Sequence, residues 1–215
     1  MSLELRNFSV QMPGNILLQP FSLAVAAGEI VTIMGASGIG KTSLLSGIAG
    51  DLSRPLSVTG KILLEGKDIT HLRPEQRRIG RLFQDDMLFP HLTVGENLIF
   101  GMARGPKAER LAKAAGALAS VDLAGFENRA PHTLSGGQGQ RVALMRMLLA
   151  EPSCVLLDEP FSKLDQALRV SMRELVYEQL VARAVPTLLV THDAADAPEG
   201  GRIYEITNAG ELRHV

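Results

Sequence analysis

The stretch Gly35-Ala36-Ser37-Gly38-Ile39-Gly40-Lys41-Thr42 decides the fold of this chain of 215 residues. It matches the pattern G-x-x-x-x-G-K-[S/T] and stands between an apolar run, Ile30–Met34, and a helical stretch, Thr42–Ala49. Glycines let the backbone turn tightly, so that successive N–H groups and the start of the helix face one point. The pattern therefore predicts a strand, a phosphate-binding loop and a helix. The structural alternative is a glycine-rich turn that binds nothing.

The residue types within this stretch predict a role for each part. The backbone N–H groups are expected to hold the phosphates of a nucleotide, helped by the partial positive charge at the helix start. Lys41 is expected to reach the β- and γ-phosphates, and the Thr42 hydroxyl is expected to bind Mg²⁺. The nucleotide-binding residues so predicted are Gly35, Ala36, Ser37, Gly38, Ile39, Gly40, Lys41 and Thr42.

Short apolar runs elsewhere in the chain predict the rest of the core. They are Ile30–Met34, Ile79–Phe83, Cys154–Leu157 and Leu188–Val190. Strands without apolar–polar alternation are typical of a parallel sheet that is covered on both faces. Helical patterns at 107–119, 142–149 and 166–180 are suited to cover it. We predict an α/β fold, with a P-loop NTPase core of parallel sheet and flanking helices.

Two parts of the chain differ from this core. Residues of about 1–30 and 58–70 carry short alternating stretches and turn residues, which predicts an N-terminal antiparallel β-subdomain. Residues of about 86–145 are loop-rich and helical, which predicts an inserted helical subdomain. The length is that of one domain, 1–215.

The run Cys154–Leu157 ends in two adjacent carboxylates, Asp158 and Glu159. In open α/β sheets, ligands bind at the carboxyl edge of the strands, so both acids are expected beside the phosphate loop. Asp158 is suited to hold Mg²⁺ through water, and Glu159 to polarise an attacking water. The structural alternative is an ordinary strand that ends in solvated acids.

The segment Leu134-Ser135-Gly136-Gly137-Gln138 predicts a second helix start. Ser135 and Gln138 form a capping-box pattern, Ser-x-x-Gln. The two glycines lower the helix propensity, but they leave N–H groups bare, as an anion site requires. One chain would thus carry two phosphate-type sites; the alternative is a purely structural cap.

These motifs together resemble the nucleotide-binding subunit of an ATP-binding cassette (ABC) transporter, along nearly the whole chain. Leu134–Gln138 is similar to the family signature, and 154–159 to its Walker B motif. Gln84 resembles the Q-loop glutamine, the segment around Asp165 the D-loop, and His192 the switch histidine. The segment Phe89–Leu98 is similar to that of importer ATPases of the molybdate, thiamine and maltose group.

The resemblance implies an ATP-hydrolysing subunit that drives a membrane transporter, an importer. ATP would lie between the 35–42 loop of one copy and Ser135, Gly136, Gly137 and Gln138 of a second copy, in a head-to-tail dimer. Glu159 would act as base, Gln84 would contact Mg²⁺ and water, His192 would contact the γ-phosphate, and Asp165 would line the site. The partners implied are a multi-span permease, docked near the segment after Gln84, and indirectly a solute-binding protein. The resemblance also implies that the chain lies at the cytoplasmic face of the membrane.

Three positions depart from the family pattern. Gly139 stands where the family usually has Gln or Arg, and Lys163 stands where the D-loop usually has Ala, which would place a long cation near the dimer seam. Met12 occupies the place of an aromatic residue that stacks on adenine. Asp193 and Asp196, near the switch histidine, are interpreted as solvated or capping residues.

Composition excludes several other classes of protein. Apolar residues make up 46% and charged residues 21%, as in globular proteins, and the net charge of −1 gives no overall attraction to nucleic acid. The single cysteine, Cys154, is expected in the core. No signal peptide, membrane span or C-terminal regulatory domain is expected. Two alternatives stay open: a soluble ABC-type ATPase that acts on nucleic acid or ribosomes, and a module that only binds nucleotide.

Overall fold

A computed structural model describes all 215 residues and divides them into two compact units. The first comprises Met1–Arg81, Ser153–Glu159 and Tyr177–Val215, and the second comprises Leu82–Pro152 and Pro160–Val176. The strands are β1 (Leu3–Met12), β2 (Asn15–Val25), β3 (Ile30–Met34), β4 (Ser57–Leu64), β5 (Lys67–Asp68), β6 (Ile79–Leu82), β7 (Cys154–Asp158), β8 (Thr187–Val190), β9 (Ile203–Ile206) and β10 (Leu212–His214). The α-helices are α1 (Lys41–Ala49), α2 (Val94–Phe100), α3 (Lys107–Ala119), α4 (Gly136–Leu149) and α5 (Gln166–Ala182).

The first unit is built on two sheets. One has the strand order β2-β1-β4-β5 and is antiparallel throughout. The other has the order β10-β9-β3-β8-β7-β6, in which β9, β3, β8 and β7 pair in parallel and β10 is antiparallel to β9. The fully buried residues of β7 and β8 explain why these strands lack alternation, since both faces are covered.

Helix α1 packs between the antiparallel sheet and the parallel sheet. It contacts β1 and β4 on one side and β7 on the other, and its Leu44, Leu45 and Ile48 are fully buried. Each of these side chains contributes about 1.5–3 kcal/mol relative to an exposed one. A Cβ at Gly47 would lie 2.8 Å from Val58, so a glycine is needed for the close approach of α1 to β4.

The carboxyl ends of three parallel strands lie at one edge of this sheet. Ile33 on β3 pairs with Val190 on β8, and Asp158 on β7 pairs with the same Val190. The residues that follow these strands therefore emerge side by side: the 35–42 loop, Glu159 and His192. Strand β8 lies between β3 and β7, so this edge is where the chemistry of the first unit is expected.

The second unit is helical. Helix α2 packs against both α3 and α4, and the buried side chains include Leu98, Leu118 and Leu144. The helical subdomain predicted for residues of about 86–145 falls within this unit. Helix α5 contributes its residues up to Val176 to the second unit and those from Tyr177 onward to the first.

The predicted fold class is confirmed: the core is α/β, with a parallel sheet, a separate antiparallel sheet and the expected helices. Cys154 is fully buried, and burial raises the pKa of its thiol to about 12, so the thiol stays protonated at neutral pH. None of the five helices combines the length and the hydropathy that crossing a membrane requires.

Candidate nucleotide-binding site

The loop between β3 and α1 adopts the conformation that its glycines allow. Gly40, the residue before α1, has φ +109°, and a Cβ there would lie 3.2 Å from the side chain of Leu17. Gly35 has φ +153°, and a Cβ there would lie 3.1 Å from the carbonyl oxygen of Ile206. L side chains rarely adopt these backbone angles, so a residue with a side chain would be strained at both positions. The residue that caps α1, Gly40, has no side chain, so the N–H groups of the first turn receive no hydrogen bond from a capping side chain.

Lys41 is the first residue of α1 and is buried, and its side chain reaches back into the loop. Its Nζ donates hydrogen bonds to the carbonyl oxygens of Gly35, at 2.8 Å, and Ala36, at 3.0 Å. Carbonyl oxygens satisfy the ammonium without neutralising it, because they carry no net charge. The positive charge thus stays in the loop, where phosphate oxygens are expected to bind.

Asp158 lies beside the loop and is only 4% exposed. It accepts a hydrogen bond from the Thr42 side chain, and its Oδ2 lies 4.0 Å from an Arg81 guanidinium nitrogen. Burial raises the pKa of the Asp158 carboxyl above its usual value, although the Thr42 hydrogen bond and the charge of Arg81 oppose the shift. An ionised carboxylate at this position would be stabilised by a further cation.

The pair Thr42–Asp158 fits Mg²⁺ but does not form a complete site for it. Hydroxyl and carboxylate oxygens are the ligands that Mg²⁺ prefers, and protein sites for this ion usually add water and substrate phosphates. No group of three acidic, histidine or cysteine side chains in the chain could hold a metal ion alone. The donor set therefore fits an ion that arrives together with a nucleotide.

The raised pKa of Asp158 leads to a prediction about stability. A raised carboxyl pKa favours folding below the unfolded pKa of Asp, and this contribution is lost as pH rises through the folded pKa. We expect Asp158→Asn, measured by urea unfolding in EDTA, to raise the free energy of unfolding at pH 7 by about 1 kcal/mol.

The difference between Asp158→Asn and the wild type should shrink as the pH falls below the usual Asp pKa, since both side chains are then neutral. Asp122→Asn is the matched control, because Asp122 is exposed and asparagine tolerates its φ of +57°. A stability loss in Asp158→Asn at pH 7 would contradict the prediction.

Glu159 and His192 form an acid–histidine pair at the same edge of the sheet. His192 Nδ1 lies 3.1 Å from Glu159 Oε1; the Glu159 side chain is 17% exposed and that of His192 is 58% exposed. The Glu159 N–H donates to the Val190 carbonyl oxygen at 2.9 Å, and Glu159 has φ +47°. A non-glycine residue in the left-handed region costs about 1–3 kcal/mol, and such residues concentrate at functional sites.

A buried hydrogen-bond network supports the segment that carries His192. Thr191 Oγ1 donates to Asp196 Oδ2 at 2.7 Å, and the Tyr177 hydroxyl donates to the Asp196 carbonyl oxygen at 2.5 Å. Asp193 accepts from the N–H of Ala195 and caps a short helical turn, in keeping with its predicted capping role. Asp196 is only 2% exposed, so it is not a solvated residue; its buried carboxylate fixes Thr191 next to His192.

The second unit contains the other predicted motif, at the start of α4. Ser135 Oγ accepts from the Gln138 N–H at 3.3 Å, and Gln138 Oε1 accepts from the Ser135 N–H at 3.0 Å, so the predicted capping box forms. The N–H groups of Gly136 and Gly137 precede the first intrahelical hydrogen bonds of α4. Gly137 also packs against the Lys163 carbonyl oxygen, which a Cβ would approach to 3.3 Å. The helix start thus offers a hydroxyl and two N–H groups that precede the first intrahelical hydrogen bonds.

Gln84 and Asp165 also belong to the second unit. Gln84 is exposed in the loop after β6. Asp165 Oδ1 accepts from the Leu168 N–H at 3.0 Å, which places Asp165 at the N-terminal cap of α5. Lys163 Nζ lies 2.9 Å from Asp85 Oδ1, so this unusual cation pairs with the residue after Gln84 in the same chain.

Sequence reasoning missed Arg81. Its side chain is only 7% exposed; besides Asp158, it reaches both carboxylate oxygens of Asp51, at 2.6 and 2.7 Å, and the Ser46 hydroxyl at 2.9 Å. The signal in the sequence was an arginine inside the otherwise uncharged run Ile79–Phe83. A charge in such a strand requires a partner, and here that partner is at the site.

The first unit thus brings together the 35–42 loop, Asp158, Glu159 and His192, while Gln84, Ser135–Gln138 and Asp165 lie in the second. A parallel sheet with a glycine-rich strand–loop–helix, and with acids at the end of another strand of the same sheet, defines a nucleotide-binding protein of the P-loop class.

Comparison with known proteins narrows this class to one family. The family described as "ABC transporter" matches residues 18–162. The uncharacterized ABC transporter ATP-binding protein YnjD of Escherichia coli K12 is 42% identical over 207 residues, which are 96% of this chain and 95% of that protein. The Fe(3+) ions import ATP-binding protein FbpC of the same organism is 41% identical over 214 residues, 99% of this chain and 61% of that protein.

A solved structure gives the same result. The ATP-binding cassette MJ0796, in a dimeric post-hydrolysis state bound to ADP and Pi, superposes with a TM-score of 0.85 at 31% identity, over 99% of this chain and 97% of that one. The chain therefore belongs to the ABC transporter family, and the predicted resemblance to importer ATPases is confirmed. It spans about three fifths of the length of the iron-import relative and nearly all of YnjD.

Proposed function

We propose that the chain binds and hydrolyses ATP and thereby powers a membrane ABC transporter, an importer. The observation that carries this proposal is the cluster at the carboxyl edge of the parallel sheet. There the buried Lys41, the Thr42–Asp158 pair and the Glu159–His192 pair follow three strands in register. This cluster contains what phosphoryl transfer needs: a phosphate cradle, a cation site and a group that orients water.

Residues 35–42 bind the phosphates in this proposal, through their backbone and through the Lys41 side chain. Backbone N–H groups contact the phosphate oxygens, and Lys41 exchanges its bonds to the Gly35 and Ala36 carbonyls for bonds to the β- and γ-phosphates. Thr42 and Asp158 hold Mg²⁺. The ion, when bound, neutralises charge on the phosphate oxygens.

Glu159 orients the attacking water, and His192 orients Glu159. The 3.1 Å separation of His192 Nδ1 and Glu159 Oε1 keeps the carboxylate in one position, so its second oxygen can accept a hydrogen bond from water. His192 is exposed enough for its other ring nitrogen to contact the γ-phosphate. Gln84 acts on Mg²⁺ and water, as the family resemblance implies.

A second copy of the chain completes the site. The start of α4 carries a hydroxyl and uncapped N–H groups, which is the chemistry of a second phosphate site. In a head-to-tail dimer, Ser135–Gln138 and Asp165 of one copy face the nucleotide on the 35–42 loop of the other. The dimeric form in which the related cassette was solved supports this arrangement.

The permease docks near the segment after Gln84. Met87 is 57% exposed and Phe100 is 63% exposed, and the Phe100 ring lies 4.5 Å from that of Phe89. Contiguous exposed apolar surface is typical of a protein contact, and the adjacent Phe89 and Phe100 rings supply such a surface in this proposal. The chain would then lie on the cytoplasmic face of the membrane, with a solute-binding protein as an indirect partner.

The test is the release of inorganic phosphate from Mg-ATP by the purified chain, followed by co-purification with a multi-span membrane protein. Phosphate release excludes a module that only binds nucleotide, and its absence contradicts the proposal. FbpC is an iron-import ATP-binding protein and YnjD is described as an ABC transporter ATP-binding protein, so neither favours a soluble ATPase that acts on nucleic acid or ribosomes.

The place where the nucleobase of ATP would bind leads to a prediction at Met12. Met12 is exposed at the end of the β1–β2 hairpin, and Leu17 packs its side chain against Gly40 of the loop. Aliphatic groups pack on the face of a purine ring but form no hydrogen bonds with its edge. We therefore expect ATP and GTP to bind within about tenfold, or 1.4 kcal/mol, of each other.

Met12→Tyr should tighten ATP binding by about three- to tenfold, because a stacked ring adds about 0.5–1.5 kcal/mol. Titration of both nucleotides against both proteins measures these effects, with Ile16→Tyr as the control on the opposite strand of the hairpin. A preference of wild type for ATP above about 100-fold would show that another residue reads adenine. An unchanged affinity in Met12→Tyr would show that Met12 lies away from the base.

A further inference from the structure

Gly139, in the first turns of α4, leaves room for the side chain of Asp86. Its φ lies outside the left-handed region, so the backbone does not require glycine there. A Cβ at position 139 would lie 2.2 Å from Asp86 Oδ2 and 3.2 Å from Asp86 Cγ. Turning the carboxylate about its own bond relieves the contact with Oδ2, but Cγ at 3.2 Å remains closer than nearly all real Cβ contacts, so Asp86 must also shift by a few tenths of an ångström. A side chain at position 139 must therefore displace Asp86.

Helix α4 contacts the same segment at a second point. Arg146, seven residues after Gly139 and thus on the same helix face, donates to the carbonyl oxygens of Met87, at 2.9 Å, and Asp86, at 3.1 Å. Asp86 Oδ1 also accepts from the Leu88 N–H at 3.3 Å, across Met87, which has φ +47°. Displacement of the Asp86 carboxylate would remove the hydrogen bond that supports this turn.

The residue between Gln84 and Asp86 makes a third contact. Asp85 pairs with Lys163 Nζ at 2.9 Å, and the Lys163 N–H donates to Gln140 Oε1 of α4 at 3.1 Å. The three residues after Gln84 are thus all held by α4 or by the segment packed against it. All of these contacts lie within the second unit.

We infer that Asp86 and Gly139 are a size-matched pair that positions Gln84 relative to Ser135–Gln138. Gln84 lies two residues before Asp86, and the signature residues begin four residues before Gly139. The contact between Asp86 and Gly139 therefore holds the segment of Gln84 against the N-terminal end of α4, where the signature residues lie. Asp86 and Gly139 are positioning residues, since they act through the segment that they hold. The inference rests on the proposed function, because Gln84 and Ser135 affect a rate only if the chain hydrolyses ATP.

The test is a double-mutant cycle on the purified chain, with kcat and KM for Mg-ATP as readouts. We expect Gly139→Ala to lower kcat by about fivefold or more with KM unchanged, since contacting residues couple by factors of that order. In the Asp86→Ala background, where the carboxylate is gone, Gly139→Ala should leave kcat unchanged. Gly116→Ala in α3 is the matched control, because a Cβ there meets no atom within 4 Å; it should retain the wild-type kcat.

Each outcome decides between the alternatives. An equal effect of Gly139→Ala in both backgrounds, or none in either, overturns the inference, whereas a wild type without hydrolysis overturns the proposed function instead. Should Gly139→Ala not fold, Asp86→Glu provides the same test, because its longer side chain meets the same backbone; an unchanged kcat there also overturns the inference. If the pair served only the stability of the fold, Gly139→Ala would lower the thermal unfolding midpoint, and its effect on kcat would not depend on the residue at position 86.

Discussion

Glu159→Gln should retain ATP binding and lose at least about 100-fold in turnover, the usual contribution of a general base. Glutamine has the shape of glutamate, so the contact with His192 at 3.1 Å can persist as a hydrogen bond. It cannot take a proton from water, so hydrolysis stops while the phosphate contacts remain. The measurement is steady-state phosphate release beside equilibrium nucleotide binding.

The same variant should accumulate as an ATP-bound dimer. If binding closes the two copies on ATP and hydrolysis opens them, a chain that binds without hydrolysing stays closed. Size-exclusion chromatography with and without Mg-ATP detects the change, with the wild type eluting mainly as a monomer in the absence of nucleotide.

Glu151→Gln is the matched control for this change. Glu151 is exposed and also adopts a left-handed conformation, with φ +50° against +47° at Glu159, so the same substitution meets the same backbone. It should hydrolyse ATP like the wild type. Near wild-type hydrolysis by Glu159→Gln would exclude Glu159 as the residue that orients water.

Ser135→Arg should abolish hydrolysis and leave the nucleotide affinity of the monomer nearly unchanged. The substitution removes the hydroxyl that accepts from the Gln138 N–H and places a long cation over the bare N–H groups of Gly136 and Gly137. Loss of preorganised donors to phosphate oxygens costs about 100- to 1000-fold in rate. Nucleotide affinity is measured at protein concentrations at which the chain is monomeric.

Thr93→Arg separates loss of a cap from loss of a site. Thr93 and Glu96 form the same capping box at the start of α2, also in the second unit, so this variant loses an equivalent cap. Loss of a cap costs about 1 kcal/mol of stability. Thr93→Arg should show that stability loss with hydrolysis intact. If Ser135→Arg instead weakens monomer binding as much as it lowers turnover, both motifs serve one site within a single chain.

The main elements of the fold could be read from the sequence because the signals were local. The strands β3, β7 and β8 consist almost entirely of apolar residues, and the loop at 35–42 matches a pattern that is specific to phosphate-binding loops. The cap of α4 was equally local, since Ser135 and Gln138 are three residues apart. In each case one segment contained all the information that its conformation needed.

What the sequence did not reveal depends on residues far apart in the chain. Arg81 and Asp158 meet because β6 and β7 are neighbours in the sheet, an order that no local pattern specifies. Asp196 is buried because Thr191 and Tyr177 bind it from two directions. The sequence marks Gly139 only as a departure from the family pattern, and its contact with Asp86 depends on a distant segment of the chain.

The hydrogen bonds from Lys41 to the Gly35 and Ala36 carbonyls have a consequence for the thermodynamics of nucleotide binding. The lysine braces the loop from inside, because its ammonium ties two carbonyls at the start of the loop to the first residue of α1. Ordering a loop upon binding costs free energy that a preorganised loop does not lose. A loop braced in this way favours rapid association with phosphate and little change in backbone entropy.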